Sequence, residues 1–556
     1  MNLFVKPFVE ELHIAALKYQ KNGSVMPILF NGYQAFLKTG HRQLFEDQYF
    51  ARRRQLAVLI LDSYLSPSPE GLELLENVIW EVCNEYTWAV PAHVPTKNDQ
   101  FTTDSHFFID LFAAETAHTL AEGKHLLSEK LSPMIQHRID EELEQRIFEP
   151  FIKETWFWET MENNWSAVVP GAIGMAALWQ FNNEERLIPL LSKVDHCLKS
   201  YLASFDSDGT CKEGIGYWSY GFGYFIYFAE LYRKIRKDSR YFQLSKVKAI
   251  ASFPYKIRMN GKGYIPFSDY TGTDIPTGLL SFCEEEYKLP VTKKEMNSLD
   301  FDHAYRFAHL SRNLLWGKEG KEYREDNSQN FYLPKAQWLI KKNREKNFFF
   351  AAKAGINNES HNHNDVGHFV LGGKRGLFLT DLGAGEYTTS YFLPETRYDF
   401  LTTSSEGHSV PIINSEFERA GNYMARDVVN DEKGFLMEMT DVYPERTQLK
   451  SFIRSFHSSD NLCQIELSDQ FSFSMGPNTV IENFITLIKP VIFGKQVILK
   501  EKGGECRIQF ETDKIKLIEK KYADHSGKQK KAYLIQAEYV IENENSINIL
   551  FRINEM

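Results

Sequence analysis

The chain has 556 residues, of which 43% are hydrophobic and 25% are charged, and its formal net charge at pH 7 is −10. At roughly 150 residues per domain, this length predicts between two and four folded units. The acidic balance argues against nucleic acid as a partner, because binding to phosphates normally requires a surplus of lysine and arginine.

The N-terminus, MNLFVKPFVEELHIAALKYQ, carries glutamates where a secretory signal needs an unbroken apolar core. No run approaches the roughly 20 apolar residues of a membrane span. The chain as given is therefore predicted to be cytoplasmic, without a membrane partner, although a secreted or periplasmic protein that had lost its signal would look the same. The cysteines form no CxxC pair, so neither a zinc knuckle nor a disulfide framework is predicted.

The N-terminal part of the chain, to about residue 325, is predicted to be helical, because apolar residues recur at helical spacing over lengths that strands do not reach. The clearest stretches are RRRQLAVLILDSYLS, EGLELLENVIWEVCNEY, FFIDLFAAETAHTLAEGKHLLSEKL and AIGMAALWQFNNEERLIPLLSKVDHCLKSYLASF. Pro170 and Gly171 are predicted to open the last of these, in which Ala172 and Gly174 permit close contact between helices. Successive amphipathic helices predict an α/α toroid or solenoid, and the lack of a legible repeat disfavours a regular solenoid.

From about residue 347 the hydrophobic period changes to two, which predicts β-strands. The strand-like stretches are NFFFAAKAGI, GHFVLGGKRGLFLTDLG, SFIRSFHSSDNLCQIELSDQFSFS and SINILFRINE. In the last of them Ile547, Ile549 and Phe551 are predicted to point inward. Strands without intervening helices predict an antiparallel β-sandwich, and the charged stretch KNREKN (342–347) is predicted to be a solvated linker. The fold class is thus α+β multidomain, with a toroid at 1–335 and a sandwich at 336–556.

The stretch HNHNDVGHF (361–369) places three histidines and an aspartate within nine positions. If it is a β-strand, side chains alternate between faces, so that His361, His363 and Asp365 share one side. The sequence leaves three possibilities open: a metal site, a catalytic edge or a polar surface strand. His368 breaks the alternation and is predicted to be structural.

A possible metal set combines His363 with Asp381 in FLTDLGAGEY and His408 in SSEGHSVPI. Imidazole nitrogens together with a carboxylate oxygen suit zinc, which usually takes three or four such ligands. His361 would then stand beside the ion without needing to bind it.

The helical half holds two polar clusters in apolar surroundings. In ENNWSAVVPGA, Asn163 and Asn164 precede a helix, where asparagine also serves as an N-cap or turn residue. The second cluster, KEGIGYWSYGFGY, contains Glu213, Tyr217, Tyr220 and Tyr224. The tyrosines can share one helix face, and an aromatic core stripe would explain them equally well.

Five motifs occur in order between residues 160 and 410. They are NNW with a Gly/Ala-rich helix (163–178), DGxxxEGxxYWxYG (208–221), IPFSDY (265–270), HNHND with a downstream DLGAGEY (361–387), and SSEGHSV (404–410). Together they resemble the heparinase II/III-like polysaccharide lyases, a group that includes oligoalginate and glycosaminoglycan lyases. The resemblance implies an N-terminal α/α toroid and a C-terminal antiparallel β-sandwich, in agreement with the change of period.

The resemblance also implies β-elimination at a uronic acid, in which the enzyme neutralises the carboxylate, removes the C5 proton and protonates the departing O4. Asn164 resembles the amide that hydrogen-bonds the carboxylate, and Tyr217 resembles the tyrosine acid/base. His361 resembles the catalytic histidine, serving as base or charge stabiliser. A further catalytic tyrosine is assigned to Tyr398, with Tyr391 as the alternative.

The zinc ligands of the family correspond to His363, Asp381 and His408, and the metal is expected to brace the sandwich rather than to perform chemistry. The residues expected to contact the substrate are Asn163, Trp165, Glu213, Tyr224 and Arg397.

Two departures from the family pattern affect the expected substrate. Trp165 stands where alginate-type enzymes commonly have a histidine, which favours a glycosaminoglycan-type substrate. Gly221 stands where some relatives have an arginine, so the anion contact of those relatives is not carried over, and Arg397 and Arg426 are candidate replacements.

The predicted function is a lyase acting on acidic poly- or oligosaccharides, with bound Zn²⁺. The sequence leaves open whether the protein forms a homo-oligomer, because a sandwich can expose strand edges. The alternatives are an oligoalginate lyase, a glycoside hydrolase on the same scaffold and a non-catalytic carbohydrate-binding relative. A hydrolase would need two carboxylates flanking the scissile bond, for which Glu213 and Asp269 are available. The presence of both Tyr217 and His361 counts against a non-catalytic relative.

Overall fold

The structure of the chain is a computed structural model that describes residues 2–98, 100–259, 263–272, 274–290, 294–320, 328–359 and 361–554. The chain forms two compact units. The helical unit comprises Met1–Phe205, Gly216–Ala251 and Thr273–Tyr323, and the β unit comprises Asp206–Ile215, Ser252–Gly272 and Arg324–Met556. Two short segments that precede the main run of strands, 206–215 and 252–272, thus belong to the β unit.

The helices, in chain order, are α1 (Lys6–Asn22), α2 (Phe30–Thr39), α3 (Gln43–Leu65), α4 (Pro69–Cys83), α5 (Leu111–Leu126), α6 (Pro133–Leu143), α7 (Glu149–Lys153), α8 (Trp165–Gln180), α9 (Glu184–Ala203), α10 (Ile215–Tyr217), α11 (Gly223–Arg236), α12 (Ser245–Ala251), α13 (Phe253–Ile257), α14 (Thr277–Tyr287), α15 (Phe307–Trp316) and α16 (Thr389–Phe392). Among the described residues, no helix has both the length and the apolar character needed to cross a bilayer.

The strands are β1 (Thr96–Lys97), β2 (Gln100–Phe101), β3 (Ser328–Leu333), β4 (Trp338–Asn343), β5 (Phe348–Lys353), β6 (Phe369–Gly372), β7 (Leu377–Leu379), β8 (Ile412–Ile413), β9 (Arg426–Asp431), β10 (Gly434–Glu438), β11 (Leu449–Ser458), β12 (Gln464–Phe473), β13 (Asn478–Thr486), β14 (Val491–Phe493), β15 (Gln496–Glu501), β16 (Gly504–Gln509), β17 (Ile515–Ala523), β18 (Gln529–Ile541) and β19 (Glu544–Asn554). In the β unit they form antiparallel sheets of five strands (β3-β4-β5-β6-β7), eight strands (β14-β15-β16-β19-β12-β11-β10-β9) and four strands (β17-β18-β13-β8).

Helix α8 is almost entirely buried within the helical unit and packs against α5, α9 and α11. Its glycines allow this packing, because a Cβ at Gly174 would lie 2.6 Å from Cε2 of Phe228 on α11. The predicted start of this helix was wrong: α8 begins at Trp165, and Pro170 lies inside it. The predicted single stretch to residue 205 is also two helices, because Asn183 accepts the backbone N–H of Glu185 at 2.8 Å and caps α9.

The core of the β unit draws buried side chains from all three sheets. The predicted inward residues Ile547, Ile549 and Phe551 of β19 are all buried, which confirms the period-two pattern. The stretch KNREKN is not a linker: it ends β4 and turns into β5. Within it Lys342 is buried and donates to the backbone carbonyl of Tyr255 at 2.9 Å, which explains a charged residue at an inward position.

Candidate active site

The loop between β5 and β6 carries the HNHND stretch, and here the expectation of a β-strand was wrong. His361 has a φ of 57°, and the strand begins only at Phe369. The loop backbone bonds to side chains as well as to backbone groups, such as the carbonyl of Lys353 at the end of β5, which accepts the N–H of Gly367 at 3.0 Å. Asn357 Oδ1 accepts the N–H of Asp365, and Glu418 Oε2 accepts the N–H of Val366.

His361 and His363 nevertheless converge, because both bind one carboxylate, that of Asp269. His361 Nδ1 lies 2.8 Å from Asp269 Oδ2, and His363 Nε2 lies 2.9 Å from Asp269 Oδ1. The same oxygens also accept the hydroxyl of Tyr391 at 2.7 Å and that of Tyr387 at 3.1 Å. Arg397 Nη2 approaches Oδ2 at 3.4 Å. Within the part of the chain that the structure describes, Asp269 thus joins two histidines, two tyrosines and an arginine.

Burial alone would raise the pKa of Asp269, but the hydrogen bonds from His361 and His363 hold it well below its usual range. The backbone around this carboxylate is constrained. Ser268 has a φ of 62°, a conformation that is costly for a residue with a side chain. A Cβ at Gly383 would lie 2.2 Å from the carbonyl oxygen of Tyr270, so only glycine fits there. The surrounding structure therefore fixes the position of Asp269.

The two histidines differ in accessibility, which separates their possible roles. The side chain of His361 is 19% exposed, whereas that of His363 is fully buried. The ring of Tyr387 stacks beside His361 at 6.3 Å between centroids, and exposed Phe392 meets the same imidazole edge-on at 6.3 Å. His361 is therefore reachable from solvent and has aromatic rings beside it.

A second buried group consists of His363, Asp365, Asp381 and His408, each of which offers one ligand atom within 4.8 Å of the others. Asp269 accepts the Nε2–H of His363, and the carbonyl of Ser404 accepts the Nδ1–H of His408 at 2.8 Å. The remaining ring nitrogens, Nδ1 of His363 and Nε2 of His408, are 3.2 Å apart and face each other with lone pairs. Two lone pairs that face each other at this distance repel, so a bound cation would stabilise this arrangement of the two rings.

The carboxylates complete a donor set that fits such a cation. Among the described residues, Oδ2 of Asp365 and Oδ2 of Asp381 are buried without a hydrogen-bond partner. They lie 3.9 Å and 3.7 Å from Nε2 of His408. Burial raises the pKa of Asp381 to about 7 and lowers that of His408 to about 4. Two imidazoles and two carboxylates held in this way fit Zn²⁺ by donor type and number.

His368 lies against this group. Its Nδ1 accepts the backbone N–H of Ser409 at 2.9 Å, so the neutral ring carries its proton on Nε2, which is 3.6 Å from Oδ2 of Asp381. A protonated nitrogen cannot be a metal ligand, and 3.6 Å is too long for a hydrogen bond, so Nε2 of His368 neither belongs to the donor set nor bonds to Asp381.

The structure separates the other residues predicted near His361. Tyr398 accepts a hydrogen bond from the side-chain amide of Asn362 at 3.2 Å, whereas Tyr391 contacts Asp269 directly. Arg397 is buried, and besides Asp269 it donates to the carbonyls of Asn362 at 3.0 Å and Tyr391 at 3.1 Å. Its guanidinium is thus engaged within the protein rather than presented to a ligand.

In the helical unit, the asparagine pair lies at the start of α8. Asn163 Oδ1 accepts the backbone N–H of Trp165 at 3.0 Å, so this side chain closes a turn. Asn164 is buried, and its side chain does not cap the helix. Trp165 is half-buried and packs against His93 and Phe157, with ring centroids at 5.0 Å and 5.3 Å.

Tyr217 is half-buried at the end of α10 and leads into a π-helical turn, Trp218–Phe222, before α11. A Cβ at Gly221 in this turn would lie 3.2 Å from Cβ of Asn164, so glycine brings the turn against the asparagine. Tyr224 is fully buried and leaves no surface for a substrate. Glu213 is half-buried and belongs to the β unit.

One cluster in the helical unit was not anticipated from the sequence. The hydroxyl of Tyr220 donates to Glu115 Oε1 at 2.6 Å, and Arg306 Nε lies 3.3 Å from the same oxygen. Arg306 also pairs with Asp302 at 2.6 Å and lies 4.0 Å above the Tyr220 ring. Burial raises the pKa of Glu115 to about 7.

Sequence reasoning missed Asp269 as the centre of the histidine network and Asp365 as a member of the buried donor group. Asp269 lies in the IPFSDY motif, 92 residues before His361, so no local spacing connects them. Tyr387 is the last residue of the DLGAGEY motif, and that motif was the only sequence feature that pointed to it.

The structure is similar to several solved lyases. The match to the heparan sulfate lyase of Pedobacter heparinus covers 98% of this chain and 88% of the lyase, with a TM-score of 0.61 and 13% sequence identity. The match to heparinase III covers 99% of this chain and 92% of that protein, with a TM-score of 0.61 and 14% sequence identity. The chondroitin AC lyase of Streptomyces coelicolor A3 was solved in complex with chondroitin sulphate. Its match covers 98% of this chain and 79% of that lyase, with a TM-score of 0.56 and 9% sequence identity.

No protein-family model and no curated protein sequence matches the chain. The likeness therefore lies in the fold, and it confirms the predicted fold class of helical toroid followed by antiparallel β-sandwich. The chain has the fold of the heparinase and chondroitin polysaccharide lyases.

Proposed function

We propose that the protein is a polysaccharide lyase that cleaves glycosaminoglycan-type chains by β-elimination at a uronic acid. The observation that carries the proposal is the solvent-accessible His361, held by Asp269 beside a buried donor group, on a fold shared with lyases of heparan sulfate and chondroitin. An accessible imidazole with a fixed orientation is the group that such a reaction needs as a base or a charge stabiliser.

Three residues have proposed roles in the reaction. The amide of Asn164 hydrogen-bonds the uronate carboxylate and stabilises the charge that develops when the C5 proton leaves. The phenol of Tyr217 transfers protons, and His361 acts as base or stabilises the charge. Support for Asn164 comes from its place at the start of α8, where its side chain does not cap the helix.

Aromatic side chains are the proposed sugar contacts, because rings offer flat apolar surfaces with polar edges. In the β unit these are Tyr387 and exposed Phe392, which lie beside His361. In the helical unit the proposed contact is half-buried Trp165. The substitution of tryptophan for the histidine of alginate-type enzymes supports a glycosaminoglycan-type substrate over alginate.

Zn²⁺ is the proposed ion of the buried group, held by His363, Asp365, Asp381 and His408. These ligands come from three separate loops of the β unit, so the ion would serve as a structural brace. Every proposed proton transfer belongs to protein side chains.

A glycoside hydrolase is the less favoured alternative. It needs one carboxylic acid that keeps its proton until it protonates the leaving group. Asp269 is one of the two carboxylates considered for this role, but its hydrogen bonds from His361 and His363 hold its pKa well below the usual range despite burial. A group held in this way is a poor proton donor.

Product chemistry tests the proposal. The protein is incubated in heavy-oxygen water with hyaluronan, chondroitin sulfate, heparosan, heparan sulfate and alginate, and the products are analysed by mass spectrometry. Elimination predicts products one water lighter than hydrolysis products, with no heavy oxygen incorporated. Products that carry heavy oxygen at the new chain end would contradict the proposal and support the hydrolase.

A further inference from the structure

A single carboxylate lies between the two histidines of the HNHND loop. Oδ2 of Asp269 accepts from His361 Nδ1 at 2.8 Å, and Oδ1 accepts from His363 Nε2 at 2.9 Å. The side chain of Asp269 is fully buried, so its position is set by the protein rather than by solvent.

We infer that Asp269 is a positioning residue that fixes the ring plane of both histidines and decides which ring nitrogen carries the proton. The protonated nitrogen is a different one in each ring. It keeps the proton of His361 on Nδ1, so that Nε2 presents its lone pair away from the carboxylate. It keeps the proton of His363 on Nε2, so that Nδ1 presents its lone pair to the buried donor group. The catalytic part of this inference rests on the proposed role of His361.

The chemical argument is that a carboxylate only accepts hydrogen bonds, so any ring nitrogen that faces it must carry the proton. The neutral imidazole has one such nitrogen, and the other is then a lone pair. For His363 this places the lone pair 3.2 Å from Nε2 of His408, on the side where a cation fits. For His361 it leaves Nε2 as the acceptor for a substrate proton.

The surrounding contacts make Asp269 a rigid support. The hydroxyls of Tyr391 and Tyr387 and the guanidinium of Arg397 also point at its oxygens. The backbone is left-handed at Ser268, which precedes Asp269, and at His361 itself, so strained backbone lies on both sides of the Asp269–His361 contact. Strain of this kind persists only where the structure over-determines a conformation, as at functional sites.

The first test needs no substrate. Nitrogen-15 NMR of the zinc-loaded protein labelled at histidine reports which ring nitrogen carries the proton, and the signals of His361 are assigned by their loss in His361→Gln. The expected result for the wild type is a proton on Nδ1 of His361. A proton on Nε2 instead would overturn the inference, whether or not the protein proves to be a lyase.

The second test uses Asp269→Asn, which keeps the shape and replaces one acceptor by an amide donor. The proton of His361 is expected to move to Nε2, or the proton of His363 to Nδ1, since an amide NH₂ cannot face a ring N–H. Asp110→Asn is a matched control, because Asp110 is buried and accepts from His93 Nδ1 at 2.8 Å in the helical unit. It is expected to change the His93 signal and leave those of His361 and His363 as they are.

Kinetics on the substrate found for the wild type test the catalytic part. Asp269→Asn is expected to lower kcat by on the order of 10²–10⁴-fold with little change in KM, because the loss falls on proton transfer rather than on binding. A variant that folds, keeps both ring protons in place and retains wild-type kcat would overturn the inference. Absence of turnover by the wild type would refute the proposed function and leave the NMR result to decide the positioning role.

Discussion

The hydroxyl of Tyr217 is the smallest group on which the proposed chemistry depends. It lies at the end of a three-residue helix that leads into a π-helical turn, an irregularity often found at functional sites. The ring is half-buried, so its packing and its hydroxyl can be tested separately.

Replacing Tyr217 by phenylalanine should lower kcat by on the order of 10²-fold or more, because the substitution removes the proton-transferring oxygen and keeps the ring. The free energy of unfolding should change by less than about 1 kcal/mol. Steady-state kinetics and urea denaturation measure the two effects. Tyr64→Phe removes the same atom from an exposed tyrosine on α3 and should leave kcat as it is. Near-normal turnover by Tyr217→Phe would remove the proposed mechanism.

Glu115 offers a pH-dependent test at the scale of one residue. Burial raises its pKa from 4.5 to about 7, so between these values the unfolded chain has released a proton that the folded protein keeps. The folded state binds more protons there, and its stability falls as pH rises through this window. The cost is absent below pH 4.5, is complete above about pH 7 and amounts to about 3 kcal/mol.

Glu115→Gln should remove this cost while retaining an oxygen that accepts from Tyr220 and Arg306. The variant should therefore gain stability relative to the wild type as pH rises from 4.5 to 7, measured by urea denaturation at several pH values. Parallel stability profiles for the two proteins would show that the carboxyl of Glu115 does not titrate in this range.

At the scale of helices, the close approach of α8 to α11 depends on glycine. Gly174→Ala should destabilise the protein by about 1–3 kcal/mol, because the added Cβ would lie 2.6 Å from Cε2 of Phe228. This overpacking should outweigh the gain in helix propensity of about 1 kcal/mol. Urea denaturation measures the change, and adding Phe228→Leu should recover part of the loss. Stabilisation by Gly174→Ala alone would show that the helices can separate at little cost.

Three loops of the β unit meet at the buried donor group, so removing a ligand should loosen more than one element. His363→Ala should reduce bound zinc from one ion per chain to a small fraction and lower Tm. At an ion concentration of 100 times Kd, the lost stabilisation is about 2.7 kcal/mol. Elemental analysis and thermal unfolding measure both effects.

His457→Ala is the matched control, because His457 is an exposed histidine on β11 of the same unit. It should keep both the metal content and Tm. Removal of metal from the wild type by a chelator should lower Tm, and zinc should restore it. A wild-type protein that purifies without metal, binds none and unfolds at the same temperature with chelator would contradict the proposed brace.

The elements most accurately predicted from the sequence were those with a strong hydrophobic period, such as the alternation of Ile547, Ile549 and Phe551 in β19. Boundaries were less accurate, since Pro170 was taken as a helix start and lies inside α8. The β-strand considered for the HNHND segment was wrong, because the residues that alternate there are polar and give no hydrophobic period. The backbone N–H groups at Asp365 and Val366 donate to the side chains of Asn357 and Glu418, and no periodicity encodes such contacts.

At the scale of the whole molecule, the change from helical to strand period was enough to predict a helix-rich region followed by antiparallel strands, and the fold confirms this order. The candidate site was predicted less completely. His361, His363, Asp381 and His408 could be named because motifs carried them. The role of Asp269 could not, because its 92-residue separation from His361 closes only in the folded chain.

The proposed mechanism depends on the side chains of both Tyr217 and His361. Losing either side chain should therefore abolish turnover while leaving the protein folded. Circular dichroism of Tyr217→Phe and His361→Ala should show wild-type secondary structure in both proteins, which separates loss of chemistry from loss of fold.

The most direct test of the central claim is ultraviolet absorbance during incubation of the zinc-loaded protein with each uronate polysaccharide and its short oligomers. Elimination creates a carbon–carbon double bond conjugated to the carboxylate, so absorbance should rise with at least one glycosaminoglycan and should not rise with Tyr217→Phe. No rise with any substrate, from folded and metal-loaded protein, would contradict the assignment as a glycosaminoglycan lyase. A rise with alginate alone would keep the elimination and change the substrate to alginate.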